Sequence, residues 1–122
     1  MSLIDNEIQD GLLAVQQTSE GSRVRLALRG ELDLSNAPTA EKGIEEAFAS
    51  EMDVLIDLGP LEFIDSTGIA LIVRAMGRED ARRLTFLPSK SETVRRLLNL
   101  TGLDEKMPLS TTEDSPPVLP AA

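Results

Sequence analysis

The chain has 122 residues, 12 basic against 21 acidic, for a formal net charge of −9, a length suited to one hydrophobic core rather than a catalytic and a regulatory domain together. That acidic balance argues against binding a phosphate backbone, which takes clustered Lys and Arg. The absence of Cys and His excludes disulfides, thiolate zinc sites and a Ser-His-Asp triad, and three aromatics (Phe48, Phe63, Phe86) make no platform for stacked bases.

A hydrophobic content of 41% nevertheless suits an aliphatic core. The N-terminal stretch carries Asp5, Glu7 and Asp10 and does not resemble a signal peptide. No window approaches ~18 consecutive apolar residues. A cytoplasmic protein with neither a membrane nor a nucleic acid as partner is expected.

In chain order, Leu12, Leu13 and Val15 predict a first strand, closed by the polar run Gln16 to Ser22 with a turn at Gly21. Arg23-Val24-Arg25-Leu26-Ala27-Leu28-Arg29 alternates charged with apolar residues, the period of a strand with one wet face, lying nearer a sheet edge and ending at Gly30. Ser35-Asn36-Ala37-Pro38 places cap-favouring side chains before a proline tolerated in a first helical turn, so a helix runs to about Ala49. Its inward positions are Ala40, Ile44, Ala47 and Phe48.

Val54-Leu55-Ile56-Asp57-Leu58 reads as a central strand covered on both faces, broken by Gly59-Pro60. Leu61 to Ile64 then leads into Asp65-Ser66-Thr67-Gly68, which opens a helix to about Arg78. At 100° per residue, Ile69, Ile72, Val73 and Met76 are expected to bury, with Leu71, Arg74, Ala75 and Arg78 pointing elsewhere. Leu84, Phe86 and Leu87 give a strand stopped by Pro88. Ser89 to Glu92 fits a capping box for a helix that places Val94, Leu97 and Leu98 on one face and ends at Thr101-Gly102. From Thr111 the Pro-rich chain predicts a flexible tail, so residues 1–110 form the domain and 111–122 the tail. Strands alternating with helices imply an α/β domain: a mixed sheet of four to five strands packed with about four helices.

Ser66 stands where a strand delivers the chain to a helix N-terminus. Its hydroxyl either caps free N–H groups or is presented as a reactive group, with Asp65 the alternative cap. A serine nucleophile needs a base; the chain has no His, and none of Lys42, Lys90 and Lys106 stands in a serine-x-x-lysine spacing from Ser66. Gly68 alone makes neither a Walker loop nor a dinucleotide fingerprint. The carboxylates Glu31, Asp33, Asp57, Glu62 and Asp65 could gather around Mg²⁺, but such residues are more often solvated loop residues or caps. The remaining chemistry makes Ser66 a substrate, since a helix N-terminus accommodates a phosphate through its dipole and free amides. Leu71 is either the edge of the core or an anchor for a partner.

The run Asp57-Leu58-Gly59-Pro60-Leu61-Glu62-Phe63-Ile64-Asp65-Ser66-Thr67-Gly68-Ile69 resembles the signature of the STAS domains of anti-sigma factor antagonists. Gly30-Glu31-Leu32-Asp33 and Val94 to Leu103 extend the resemblance over about residues 11–109. It implies a non-enzymatic partner switch without cofactor or metal. The partner is an anti-sigma factor that is also a serine kinase of the histidine-kinase-like ATPase fold. The unmodified antagonist binds it and releases a sigma factor, phosphorylation at the serine matching Ser66 blocks binding, and a serine phosphatase reverses the mark.

Carried over by motif and helical position, the binding surface comprises Asp33, Asp65, Ser66, Thr67, Gly68, Leu71 and Arg74 of a protein that is a monomer when free. Glu79-Asp80-Ala81-Arg82 stands where relatives often carry paired glycines, and Pro116-Pro117 interrupts the usual final helix. The alternative within the family is an accessory subunit of a transport ATPase that docks without phosphorylation. A third reading is a small metal-assisted phosphatase using the acidic loops.

Overall fold

A hairpin begins the fold. In the computed structural model, which describes residues 4–110, β1 (Ile4–Asp10) turns through Gly11 and Leu12 into β2 (Leu13–Glu20), antiparallel to it. The polar run from Gln16 therefore does not close the first strand. It pairs with β1 as far as Thr18 on one side and with β3 (Arg23–Leu32) through Glu20 on the other, where backbone hydrogen bonds outweigh side-chain polarity. β1 itself has too few apolar residues to stand out from the sequence.

β3 is the middle strand. It pairs antiparallel with β2 and parallel with β4 (Asp53–Asp57), and the sheet order is β1-β2-β3-β4-β6, with β6 spanning Leu84–Leu87. The expected edge position of Arg23–Arg29 is thus overturned, and Val54–Leu58 lies one strand off the centre. The arginines misled because they stay on one face while Val24, Leu26 and Leu28 enter the core on the other.

β4 and the short β5 (Leu61–Ile64) lie in line along β3: Arg23 to Ala27 pair with β4, and Gly30 to Leu32 pair with β5. The interruption at Leu58-Gly59-Pro60 sits opposite Leu28 and Arg29. Gly30 does not end β3, which continues to Leu32 through a bulge. Gly30 has φ +96°, its N–H donates to the Pro60 carbonyl at 3.1 Å, and a Cβ there would stand 2.1 Å from the Leu12 carbonyl oxygen. Only glycine fits.

The sheet has six strands where four to five were expected, and the described residues hold three α-helices rather than about four. These are α1 (Ala37–Ala49), α2 (Ser66–Met76) and α3 (Glu92–Leu100), with 3₁₀ turns at Ala81–Arg83 and Leu103–Glu105. The expected tail from Thr111, with Pro116 and Pro117, lies outside the described residues. Among the described residues no helix is long and apolar enough to cross a membrane.

All three helices bury into one cluster with the same face of the sheet. Ala40, Ile44 and Phe48 of α1, Leu71 and Ile72 of α2, and Val94 and Leu98 of α3 join Leu26, Ile56 and Phe86. Two caps differ from expectation. Asn36 does not cap α1. Its buried side chain accepts from the Asp33 N–H at 2.9 Å and donates to the Glu31 carbonyl at 3.0 Å, spanning the β3–α1 loop. Ser91, not Ser89, caps α3. The Ser89 hydroxyl is buried, donating to the Leu61 carbonyl at 2.8 Å and accepting from the Ser91 N–H at 2.9 Å, so the box spacing matched a serine already used to pin a loop.

In the turn Glu79-Asp80-Ala81-Arg82, Asp80 accepts from Arg78 at 2.9 Å and Arg83 at 2.8 Å, while the guanidinium groups of Arg78 and Arg83 lie over the Phe48 ring. The Arg78 hydrogen bond, with that from Arg83, holds the Asp80 carboxyl below the usual carboxylate range despite some desolvation.

Candidate functional site at the start of helix α2

The site is built on the C-terminal ends of β3 and β5. Asp65 is extended, with φ −109° and ψ −172°, and caps α2: one carboxylate oxygen accepts the Thr67 N–H at 2.9 Å and the Gly68 N–H at 3.1 Å. Its other oxygen accepts the Leu34 N–H at 3.2 Å, and the Asp65 N–H donates to the Leu32 carbonyl. One carboxylate thus fastens the β3–α1 loop to the start of α2.

Because Asp65 serves as the cap, Ser66 becomes the first helical residue. Its side chain is exposed and its hydroxyl makes no hydrogen bond within the described residues. Thr67 is half-buried. Gly68 is buried, and a Cβ on it would stand 2.6 Å from Ile64 Cγ1 and 2.9 Å from Leu32 Cγ. The glycine of the motif therefore sets how closely α2 approaches β3 and β5.

Asp33 lies across the same loop, half-buried. Its carboxylate accepts the Ser35 N–H at 3.0 Å and the Ser35 hydroxyl at 2.6 Å, which shapes the turn that presents Leu34. Arg74 is exposed two turns along α2 and reaches Glu41 of α1 at 3.5 Å. Asp33, Asp65, Ser66, Thr67 and Gly68 thus meet at one end of the sheet, and Arg74 shares the exposed flank of α2 with Ser66.

Leu71 does not. It is 3% exposed and buried with Ile72 and Ala75 against the core, so it cannot anchor a partner. The expected wheel is rotated: Val73 is 50% exposed, Ile69 and Met76 are partly buried, and Leu71 and Ala75 are fully inside. α2 is apolar almost all round, so periodicity alone does not choose its inner face. The side able to approach Leu32 and Ile64 is the side carrying Gly68.

The exposed stripe that results is Ser66, Ala70, Val73 and Arg74, at helical positions i, i+4, i+7 and i+8. Beside it Leu34, 73% exposed, is held next to Asp65 by its backbone hydrogen bond, and Phe63 is partly exposed just before the motif. These apolar side chains were missed in the sequence. A leucine isolated between Asp33 and Ser35 in a polar loop is the signal that could have found the first of them.

Chemically, the arrangement offers a solvent-facing hydroxyl at a helix N-terminus and no imidazole to deprotonate it. The five acidic loop residues do not assemble: Asp57 pairs with Arg25 at 2.8 Å, Asp65 is a cap and Asp33 holds Ser35. Among the described residues no group of three or more His, Cys, Asp or Glu could hold a metal ion.

A mixed sheet with three helices on one face, a strand broken before an Asp-Ser-Thr-Gly helix start, and a paired loop beside it define a small α/β module that presents a serine at a helix start. The family model for the STAS domain matches residues 14–115, and the chain belongs to that family. It is 32% identical over 89 residues to the anti-sigma-F factor antagonist RsfB of Mycobacterium tuberculosis, covering 71% of this chain and 72% of RsfB. Among solved structures it is similar to an anti-sigma factor antagonist from Mycobacterium paratuberculosis, with TM-score 0.74 and 25% identity over 84% of this chain and 88% of that one. It is also similar to the antagonist SpoIIAA of Bacillus, again at 25% identity. The unphosphorylated form matches with TM-score 0.64 over 82% of this chain and 90% of that one, and the phosphorylated form with 0.57 over 82% and 94%.

Proposed function

We propose that this protein is a partner switch: unmodified, it binds an anti-sigma factor through the surface around Ser66 and so frees a sigma factor, and phosphorylation of Ser66 abolishes that complex. In this reading the anti-sigma factor is itself the serine kinase, of the histidine-kinase-like ATPase fold, a serine phosphatase restores the unmodified form, and this protein catalyses nothing. The observation that carries the reading is the exposed, unbonded Ser66 hydroxyl at a helix start already capped by Asp65. Support comes from RsfB and the other antagonists to which the chain is similar, and from SpoIIAA, solved both with and without phosphate.

The physical scale is adequate. A phosphate adds roughly −1.5 to −2 charge and is accommodated within the free protein by the N-terminal dipole of α2, at about 0.3 to 1 kcal/mol in favour, the Thr67 and Gly68 amides being held by Asp65. Against a partner surface the same charge is desolvated beside the Asp65 carboxylate, which costs about 2 to 5 kcal/mol. A loss of about 3 kcal/mol weakens binding roughly a hundredfold, enough to switch partners without refolding.

The test is to incubate the protein with ATP and each histidine-kinase-like anti-sigma candidate from its genome, then map phosphate by mass spectrometry. Ser66 is expected to be labelled. Ser66→Asp is expected to keep the fold and lose the partner, while Ser66→Ala binds and resists modification. Equal affinity of the two variants for the partner would refute phosphate control.

A further inference from the structure

On the face of the sheet away from the helices, a groove of about 920 Å³ opens where the strand alongside β3 is interrupted between β4 and β5. Arg25 and Arg29 reach it from β3, and Lys90 and Arg95 reach it from the loop after β6 and from α3. Pro60, Leu87 and Pro88 form its apolar wall. Arg25 is the fixed floor. It bonds Glu20 at 2.7 Å and Asp57 at 2.8 Å, and although burial opposes its charge, these partners raise its pKa above the ordinary value.

The other three cations are not neutralised. Of the 12 Lys and Arg, six make no ion pair among the described residues; Arg29, Lys90 and Arg95 line this groove, and Lys42, Arg82 and Lys106 lie elsewhere. In a chain of net charge −9, three such cations around one concavity are unlike the rest of the surface. The frame is also set in advance. The Lys90 N–H donates to the Gly59 carbonyl at 3.2 Å, the Gly59 N–H donates to Asp57 at 2.8 Å, and Arg95 donates to the Ser89 carbonyl at 3.0 Å. The buried Ser89 hydroxyl ties that loop to β5.

We propose that this groove is a second binding site, for a small organic phosphate whose anionic group is held by Arg29, Lys90 and Arg95 and whose apolar part lies on Pro60, Leu87 and Pro88. The volume falls within the range of small-molecule sites, which run to about 1,000 Å³. Guanidinium groups suit the oxygens of a phosphate. A long polyanion is disfavoured because the acidic remainder of the surface repels it. The proposal does not rest on the Ser66 reading, since the cations belong to the groove and to none of the Ser66 contacts.

The test follows backbone amide shifts of the full chain by NMR during titration with inorganic phosphate, pyrophosphate and 1-naphthyl phosphate. Saturable shifts are expected at Arg29, Gly59, Lys90 and Arg95, with 1-naphthyl phosphate binding at least tenfold more tightly than inorganic phosphate. The double variant Arg29→Gln/Lys90→Gln is expected to lose at least tenfold in affinity, whereas Lys42→Gln and Ser66→Asp leave it unchanged. Should the double variant unfold, Lys90→Gln alone serves, because that side chain is exposed. Shifts absent up to about 10 mM, scattered over the surface, or undiminished in the groove variants would overturn the proposal. Equal affinity for the naphthyl and inorganic phosphates would overturn the role of the apolar wall.

Discussion

Replacing Gly68 by alanine sets two opposed effects against each other at the start of α2. Alanine favours a helix over glycine by at most about 1 kcal/mol, and on that ground alone the substitution stabilises. The new Cβ, however, would stand 2.6 Å from Ile64 Cγ1 and 2.9 Å from Leu32 Cγ, against an optimal carbon–carbon separation of about 3.5 to 4.0 Å. Both neighbours are fully buried, and both atoms sit one bond beyond Cβ, where no distal rotation relieves the overlap. Either α2 moves away from the sheet or the two side chains leave their rotamers, at about 1 to 3 kcal/mol. The net expectation is a destabilisation of about 1 to 2 kcal/mol, which in a domain of this size lowers the melting temperature by about 4 to 8 °C. Thermal unfolding followed by far-UV circular dichroism measures it. A midpoint that is unchanged or raised would refute the claim that Gly68 is present for close approach.

Two further outcomes are expected. Leu71→Ala, which opens a cavity in the core, should cost about 2 to 5 kcal/mol in urea denaturation, whereas Leu34→Ala should change stability by less than about 0.5 kcal/mol yet weaken the proposed complex with an anti-sigma factor about tenfold; the reverse pattern would put the docking surface elsewhere. Because Asp80 has its pKa lowered on folding, the stability it confers is complete above the ordinary carboxylate pKa of about 4 and is lost as pH falls through the lower folded value. Asp80→Asn should therefore melt below the parent at pH 7, with the gap closing on acidification, and a gap constant with pH would show that Asp80 does not act through its charge.

The motif was legible because each of its residues has a local job. Asp65 caps, Gly68 is small, and Ser66 is left over for solvent, all within four consecutive positions. The helix from Ala37 to Ala49 was equally readable, since the proline in its first turn and its inward spacing are local properties. Leu71 and Val73 were not, because a helix apolar on most sides carries no internal record of which side meets the sheet. Ser89 and Ser91 show the same limit: both suit a cap, and only the carbonyl of Leu61, 28 positions away in the chain, decides which one is free to serve.

The alternation of strands and helices, the start of α2 and the serine placed there are written locally in the chain, because backbone propensity, capping and side-chain period act over a few neighbouring residues. Which strand stands in the middle, which flank of α2 faces outward, and how Arg29, Lys90 and Arg95 come to share a groove emerge from the assembled fold alone. Those depend on pairings between residues tens of positions apart, where the register of one strand against another, rather than any local preference, selects the neighbours.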